Sequence, residues 1–230
     1  MANTDYQLIG HGVYTLAEAS RLTGVGARTV RRWLMGYRFK AGDESRSSPP
    51  VITPEHAFFD GVPAMSFLDL QEVRFVDFFA RHGVGWKTLR DTHRETQKVL
   101  DDRHPFATGR FKTDGRNLLL EMSRTRRDPG LLNIVAKQWE FRRIVAPFLR
   151  ELDYDKDRIV RWWPTAGRRW VVVDPGWSFG QPIVSRESVP TAVLASAFAV
   201  DESYDVVARW YEVSPRSVRD AVEFERQLAA

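Results

Sequence analysis

Three stretches of the chain carry nearly the same seven residues: Val25-Gly-Ala-Arg28-Thr29-Val30-Arg31, Val84-Gly-Trp-Lys87-Thr88-Leu89-Arg90 and Val213-Ser-Pro-Arg216-Ser217-Val218-Arg219. Each offers cationic and hydroxyl donors within one helical turn, the groups that contact phosphates and base edges. To use them, a short helix must be followed by a turn and a second helix. A valine plugs the gap between the two helices, a small residue or proline opens the second, and the later Val or Leu packs inward. The Arg or Lys and the Ser or Thr then face out, as when a helix-turn-helix sets the start of its second helix in a major groove.

Charge separates the three copies. Residues 14–46 hold seven basic and three acidic residues; residues 103–127 hold seven and two; residues 201–230 hold four and seven. A polyanion therefore prefers the first half. The middle copy is nearly neutral. DNA reading is assigned to Arg28, Thr29, Arg31 and Arg32, with Arg38, Lys40 and Arg46 as phosphate contacts; the other two copies are expected to be structural corners or protein-contact surfaces.

The elements that would position these groups follow from local signals. Thr15-Leu-Ala-Glu18 is a capping-box pattern at the start of a helix whose buried stripe is Leu16, Ala19 and Leu22. Gly24 breaks that helix, and Ala27 to Leu34 form the next. Residues 41–50 are turn formers, expected as a loop. Ser66, with Asp69 three residues on, caps a second helical pair reaching about Leu100. Arg110 to Leu120 contains Asp114-Gly115, a preferred turn pair, and is expected to be a hairpin. Ile134 to Leu152 is expected to be a helix, open to interruption near Pro147. Arg158–Trp163 and Arg169–Val173 are expected strands, followed by extended Pro182–Val184, a helix from near Ser188, and helices over Ser203–Tyr211 and Pro215 to about Gln227.

Other chemistries find little support. The chain has 230 residues, no cysteine, 43% hydrophobic and 28% charged residues, and a net charge of +4. That composition suits a globular protein without disulfides, thiol nucleophiles or Cys-ligated metal. His11, His56, His82, His93 and His104 form no ligand-spaced pair, so no metal or cofactor is expected. Gly24-Val-Gly26 lacks a preceding strand and a third glycine, which excludes a dinucleotide fingerprint. No βαβ alternation is available to assemble an acidic nuclease site. The start of the chain has no basic region or apolar core of a leader, and Val189–Val200 is short of the ~20 residues a membrane span needs, so a cytoplasmic protein is expected. Trp162, Trp163, Trp170, Trp177 and Phe179 crowd the later hairpin, and Trp210 and Tyr211 end a helix. Such aromatics serve either a core or a protein interface.

Tyr14 to Trp33, with Tyr-Thr at its start, Leu-Thr-Gly-Val in its turn and Arg-Thr-Val-Arg in its second helix, resembles the N-terminal winged helix-turn-helix of the MerR family. The long dimerisation helix of that family is not evident downstream. The last 75 or so residues resemble a short domain of unknown function found in bacterial antitoxins, through Val172-Val-Asp-Pro-Gly176, Gly180-Gln-Pro-Ile-Val184 and Val189-Pro190 before a helix. Ser185–Pro190 is longer than the family's stretch there and lacks its glycine. The combination resembles the larger VapB-like antitoxins of type II toxin–antitoxin systems. That resemblance implies a PIN-domain or PIN-like ribonuclease partner and repression of the chain's own operon.

The fold expected is mainly α with minor β. Residues 1–125 form a winged-helix, helix-turn-helix domain with a second helical pair and a hairpin, 126–153 a connecting helix, and 154–230 a C-terminal antitoxin-type domain. The function expected is that of a non-enzymatic, homodimeric antitoxin, with operator DNA and a ribonuclease toxin as partners. Trp177, Phe179, Trp210 and Tyr211 are the candidate toxin contacts. The alternative is a stand-alone transcriptional regulator without a toxin.

Overall fold

The computed structural model describes residues 10–55, 58–59, 62–127, 129, 131, 138–165 and 167–229. In chain order it runs β1 (Tyr14–Thr15), α1 (Leu16–Thr23), α2 (Ala27–Met35), β2 (Tyr37–Ala41), β3 (Glu44–Ser48), β4 (Phe58–Phe59), β5 (Val62–Met65), α3 (Phe67–Arg81), α4 (Trp86–Leu100) and α5 (Gly109–Arg126). There follow α6 (Gln138–Arg150), β6 (Leu152–Asp155), β7 (Arg158–Trp162), β8 (Val171–Val173), β9 (Pro182–Val184), α7 (Thr191–Asp201), α8 (Tyr204–Trp210) and α9 (Pro215–Ala229). Helix predominates and strand is minor. The strands form β1-β5-β4, the β2–β3 hairpin, and a sheet of order β6-β7-β8-β9.

The chain divides into two compact units. The first comprises Tyr14–Leu149 with Tyr154–Ile159; the second comprises the residues before Tyr14, Arg150–Asp153, and Val160 onward. In the first unit both helical pairs start at capping boxes. The Thr15 hydroxyl accepts from the Glu18 amide at 3.2 Å, and the Glu18 carboxylate accepts from the Thr15 amide at 2.8 Å. Ser66 and Asp69 repeat the exchange at 3.2 and 2.9 Å. Each cap stabilises its helix start by about 1 kcal/mol. Val73, Phe75, Val76, Phe79, Phe106 and Phe111 are buried. Phe75 meets Phe111 edge-on with centroids 5.7 Å apart. In the second unit Leu194, Val207, Val218, Ala221 and Val222 close a core under α7, α8 and α9.

Two expectations from sequence are corrected. Arg110–Leu120 is not a hairpin: it lies within α5, whose first turn is fixed by the Thr108 hydroxyl accepting from the Phe111 amide at 3.0 Å. Asp114-Gly115 sits mid-helix, and Gly115 is where the Phe111 ring lies closest, 3.1 Å from where a Cβ would stand. Residues 41–50 are not a plain loop, because Glu44–Ser48 pairs residue by residue with Tyr37–Ala41 around a Gly42-Asp43 turn. Gly42 takes φ +66°, which glycine accepts at no steric cost. The helix before the second unit continues through Pro147, which is exposed. Asp128, Gly130 and residues 132–137, the last covering the expected start of the helix at Ile134, lie outside the described residues.

Candidate nucleic-acid interface and partner surface

α2 owes its orientation to three buried positions, Val30, Trp33 and Leu34, which fix which side turns outward. Arg28, Arg31 and Arg32 fall on the opposite side, and all three are exposed. Among the described residues no carboxylate pairs with them. The Arg32 guanidinium lies over the Tyr37 ring, 4.9 Å from its centroid. Thr29 is half-buried at the flank of the helix. Gly36 joins α2 to β2 with φ +69° and ψ −174°, so the hairpin begins as soon as the helix ends.

The hairpin sorts the three cations assigned to it. Strand side chains alternate, and residues opposite each other share a face. Arg38 faces Ser47 and Lys40 faces Ser45, so both lie on one side of the ribbon. Arg46 faces Phe39, on the other side with Tyr37. It is also held by Glu44 through a 3.1 Å ion pair. Arg38 and Lys40 are therefore brought together, and Arg46 is not with them.

Between the end of α2, the foot of the hairpin and the start of α4 lies a cleft of about 110 Å³. Arg32, Thr29, Ser48, Trp86 and Arg90 line it, and among the described residues no carboxylate does. Trp86 is 46% exposed and its ring sits 4.9 Å from that of Trp33. Arg90 donates from Nη2 to the Ser48 hydroxyl at 2.7 Å, while its Nε is buried without a hydrogen-bond partner among the described residues. The sequence reading treated this copy as a structural corner or protein-contact surface and so missed Arg90, although Arg90 matches Arg31 position for position in the repeat.

In all three copies the inward Val or Leu is buried: Val30, Leu89 and Val218. Among the described residues the first copy's outward arginines have no acidic partner, and in the second Arg90 bonds to Ser48 rather than to a carboxylate. Thr88 of the second is buried. In the third, Ser217 donates to Glu187 at 2.8 Å, Arg216 lies 3.8 Å from Asp220, and Arg219 covers the Tyr204 ring at 5.1 Å.

Beneath the first unit's surface, α3 and α4 carry a buried ionic network that local sequence spacing hides. His104 Nε2 and the Asp69 carboxylate lie 2.9 Å apart, and Asp69 also accepts from the Ser66 and Glu55 amides. Glu72 accepts from the Phe106 amide at 2.9 Å. His93 Nε2 is 3.0 Å from Glu72 but off the line of a hydrogen bond. Burial alone would lower the pKa of His104; the hydrogen bond to Asp69 and the charges of Glu72, Asp69 and Glu55 outweigh it and raise the value above the ordinary 6.5. The partners are 35 residues apart in sequence for His104–Asp69, so no spacing rule finds them. Among the described residues no group of three or more His, Asp or Glu side chains could hold a metal ion.

In the second unit, Trp162 is buried and donates to Glu151 at 3.3 Å, while Trp163 donates to Asp153 at 2.7 Å. The four aromatics assigned to a partner are exposed: Trp177 by 54%, Phe179 by 60%, Trp210 by 62% and Tyr211 by 38%. Trp177 precedes, and Phe179 lies within, a short 3-10 turn over Ser178–Gly180. Among the described residues no helix is long and apolar enough to cross a membrane.

No protein-family model matches the chain. The fold is that of a solved protein: the X-ray crystal structure of Rv2018 from Mycobacterium tuberculosis matches with a TM-score of 0.70, covering 91% of this chain and 96% of that one at 24% identity. Among curated proteins, one from Mycobacterium tuberculosis (strain ATCC 25618 / H37Rv) named "Putative antitoxin VapB45" is 26% identical over 222 residues, 92% of each chain.

Proposed function

We propose that this chain is a DNA-binding antitoxin: it binds and neutralises a PIN-type ribonuclease toxin and represses its own operon. The observation that carries the reading is the likeness, over 92% of both chains, to a protein named as an antitoxin. The DNA-binding half is supported by α2, whose exposed Arg28, Arg31 and Arg32 have no carboxylate partner, and by a following hairpin that serves as a wing, with Arg38 and Lys40 on one face. Arg28, Thr29, Arg31 and Arg32 carry the DNA reading, while Arg38 and Lys40 contact phosphates from one face of the hairpin and Arg46 from the other. The toxin docks on the second unit through Trp177, Phe179, Trp210 and Tyr211. Residues 1–125 act as the DNA-binding domain, 126–153 as a connecting helix and 154–230 as the toxin-binding domain.

Gel shifts on the promoter region of the chain's own gene test the first half. Arg28→Ala with Arg31→Ala is expected to cost about 1–3 kcal/mol for each arginine that reads a base, and Arg216→Ala with Arg219→Ala much less. A larger loss from the second pair would overturn the assignment. One recognition helix reads few base pairs, so the binding species is a homodimer on paired half-sites. Light scattering at micromolar concentration is expected to give twice the 26.5 kDa chain mass. A monomer that still bound its operator tightly would refute the dimer. Co-purification with the product of the adjoining reading frame tests the toxin.

A further inference from the structure

The cleft between α2, the β2–β3 hairpin and α4 takes Thr29 and Arg32 from the recognition helix, but Arg90, Ser48 and Trp86, which complete it, have no role in the scheme above. Two guanidinium groups, Arg32 and Arg90, line a space of about 110 Å³ together with the hydroxyls of Thr29 and Ser48. Among the described residues no carboxylate lines it. Cations brought together without an acid favour an anion between them. Both arginines are held in place: Arg32 by the Tyr37 ring 4.9 Å below it, Arg90 by its 2.7 Å bond to Ser48. A guanidinium pinned in this way keeps other donor edges free in a fixed fork, the geometry that suits tetrahedral oxyanions. One donor waits unused: Arg90 Nε is buried and has no hydrogen-bond partner among the described residues. Leaving such a donor unpaired carries a desolvation cost that an oxygen ligand would recover. Beside the polar groups, Trp86 is 46% and Tyr37 42% exposed, flat surfaces on which a sugar can rest.

From this we infer that the cleft is a phosphate-binding site in which Arg90, Arg32, Ser48 and Thr29 hold one phosphate group, and that Trp86 carries the attached sugar. The inference assigns a ligand-binding role to the second copy of the repeat, through Arg90. It rests in part on the DNA-binding reading, because a backbone phosphate beside the recognition helix is one source of the group; free inorganic phosphate or a nucleotide is the other. A carboxylic acid would be a poorer occupant, with two oxygens against the several donors that converge here.

The test uses the full chain with Arg90→Gln, which removes the charge and Nε, and Ser48→Ala, which removes a single oxygen and keeps the charge of Arg90. In the DNA arm, both the operator and an unrelated duplex are titrated across salt concentrations. Arg90→Gln is expected to weaken both duplexes alike, by about tenfold at low salt, and to shallow the log–log salt slope by about one. Ser48→Ala is expected to change affinity in the same direction by less. In the second arm, inorganic phosphate is titrated without DNA by calorimetry, with the Arg32 Nε–H resonance followed in both the natural chain and the variant. Saturable phosphate binding that Arg90→Gln abolishes, with DNA affinity unchanged, supports the site with free phosphate as its source. Loss in the DNA arm alone supports the backbone phosphate. If neither arm responds to Arg90→Gln, or if only the operator weakens, the site is refuted. The phosphate arm needs no DNA, so it stands even if the Arg28 and Arg31 assignment fails.

Discussion

His104 shows how a single side chain can tie stability to pH. It is 3% exposed and shares a hydrogen bond with Asp69, a carboxylate that also caps α3 and binds the Glu55 amide. Its pKa is raised in the folded chain, so the folded state holds the proton more firmly than the unfolded one. The resulting stabilisation is fully present below the unfolded value of 6.5 and is lost as pH rises through the higher folded value. Urea midpoints measured from pH 5.5 to 8.5 are expected to fall more steeply in the natural protein than in His104→Gln. At the acidic end that variant should lose about 1.5–3 kcal/mol, the worth of a hydrogen bond to a charged group. Parallel curves would remove His104 from the account. Nothing in the spacing of five scattered histidines announces this pairing. It exists because the turn over Pro105–Ala107 returns the chain to α3, with Phe106 buried against Phe75 and Phe79.

At the scale of elements, two glycines bracket the proposed recognition helix and differ in what surrounds them. Gly24 ends α1 at φ +71° with open space where a Cβ would stand. Gly36 ends α2 at φ +69°, and its Cβ would lie 2.5 Å from the Ser48 carbonyl oxygen. Gly24→Ala is expected to cost only the left-handed backbone strain, about 1–2 kcal/mol. Gly36→Ala must also push β3 away, so it is expected to cost more and to weaken DNA binding, because the hairpin starts there. Urea unfolding with a duplex titration checks both; equal costs would contradict the argument. These turns were also where sequence spoke most clearly. Thr15 with Glu18, and Ser66 with Asp69, are local pairs, and both caps formed as their spacing required. The β2–β3 hairpin was obscured because Glu-Ser-Arg-Ser-Ser is exposed or nearly so throughout and has no apolar alternation to betray a strand. For α5 the Asp114-Gly115 pair was read as a turn, whereas Thr108 capping Phe111 and the fit of Phe111 over Gly115 made a helix. Within the repeat, the inward Val or Leu was legible in all three copies. Which outward groups remain available was not, since Glu187, Asp220 and the Tyr204 ring that engage the third copy come from other parts of the chain or from later in the same helix.

For the whole molecule, the question is what the second unit does with four exposed aromatic side chains. Phe179 is the most telling. It holds φ +54°, with Ser178 before it at φ +46°, although neither is glycine. Its carbonyl oxygen accepts from the Val13 amide at 3.0 Å, which ties the loop in that shape. A bulky residue in the left-handed region costs about 1–3 kcal/mol, and strain of that kind tends to persist where function needs it. Here the strained backbone leaves the ring 60% exposed, beside Trp177 at 54%. The proposed toxin contact accounts for both features, because aromatic anchors carry a disproportionate share of binding energy when a partner covers them. Phe179→Gly in the full chain then has two expected effects of opposite sign. The free protein gains stability, by about 1 kcal/mol, as the left-handed strain is relieved. Retention of the adjoining gene's product falls by at least tenfold, a loss of about 1.4 kcal/mol or more. Operator affinity should not change. Urea unfolding, pull-down and gel shift on one preparation read all three. If Phe179→Gly keeps its partner while Arg28→Ala with Arg31→Ala loses it, toxin binding belongs to the first unit and the division of labour proposed here is reversed.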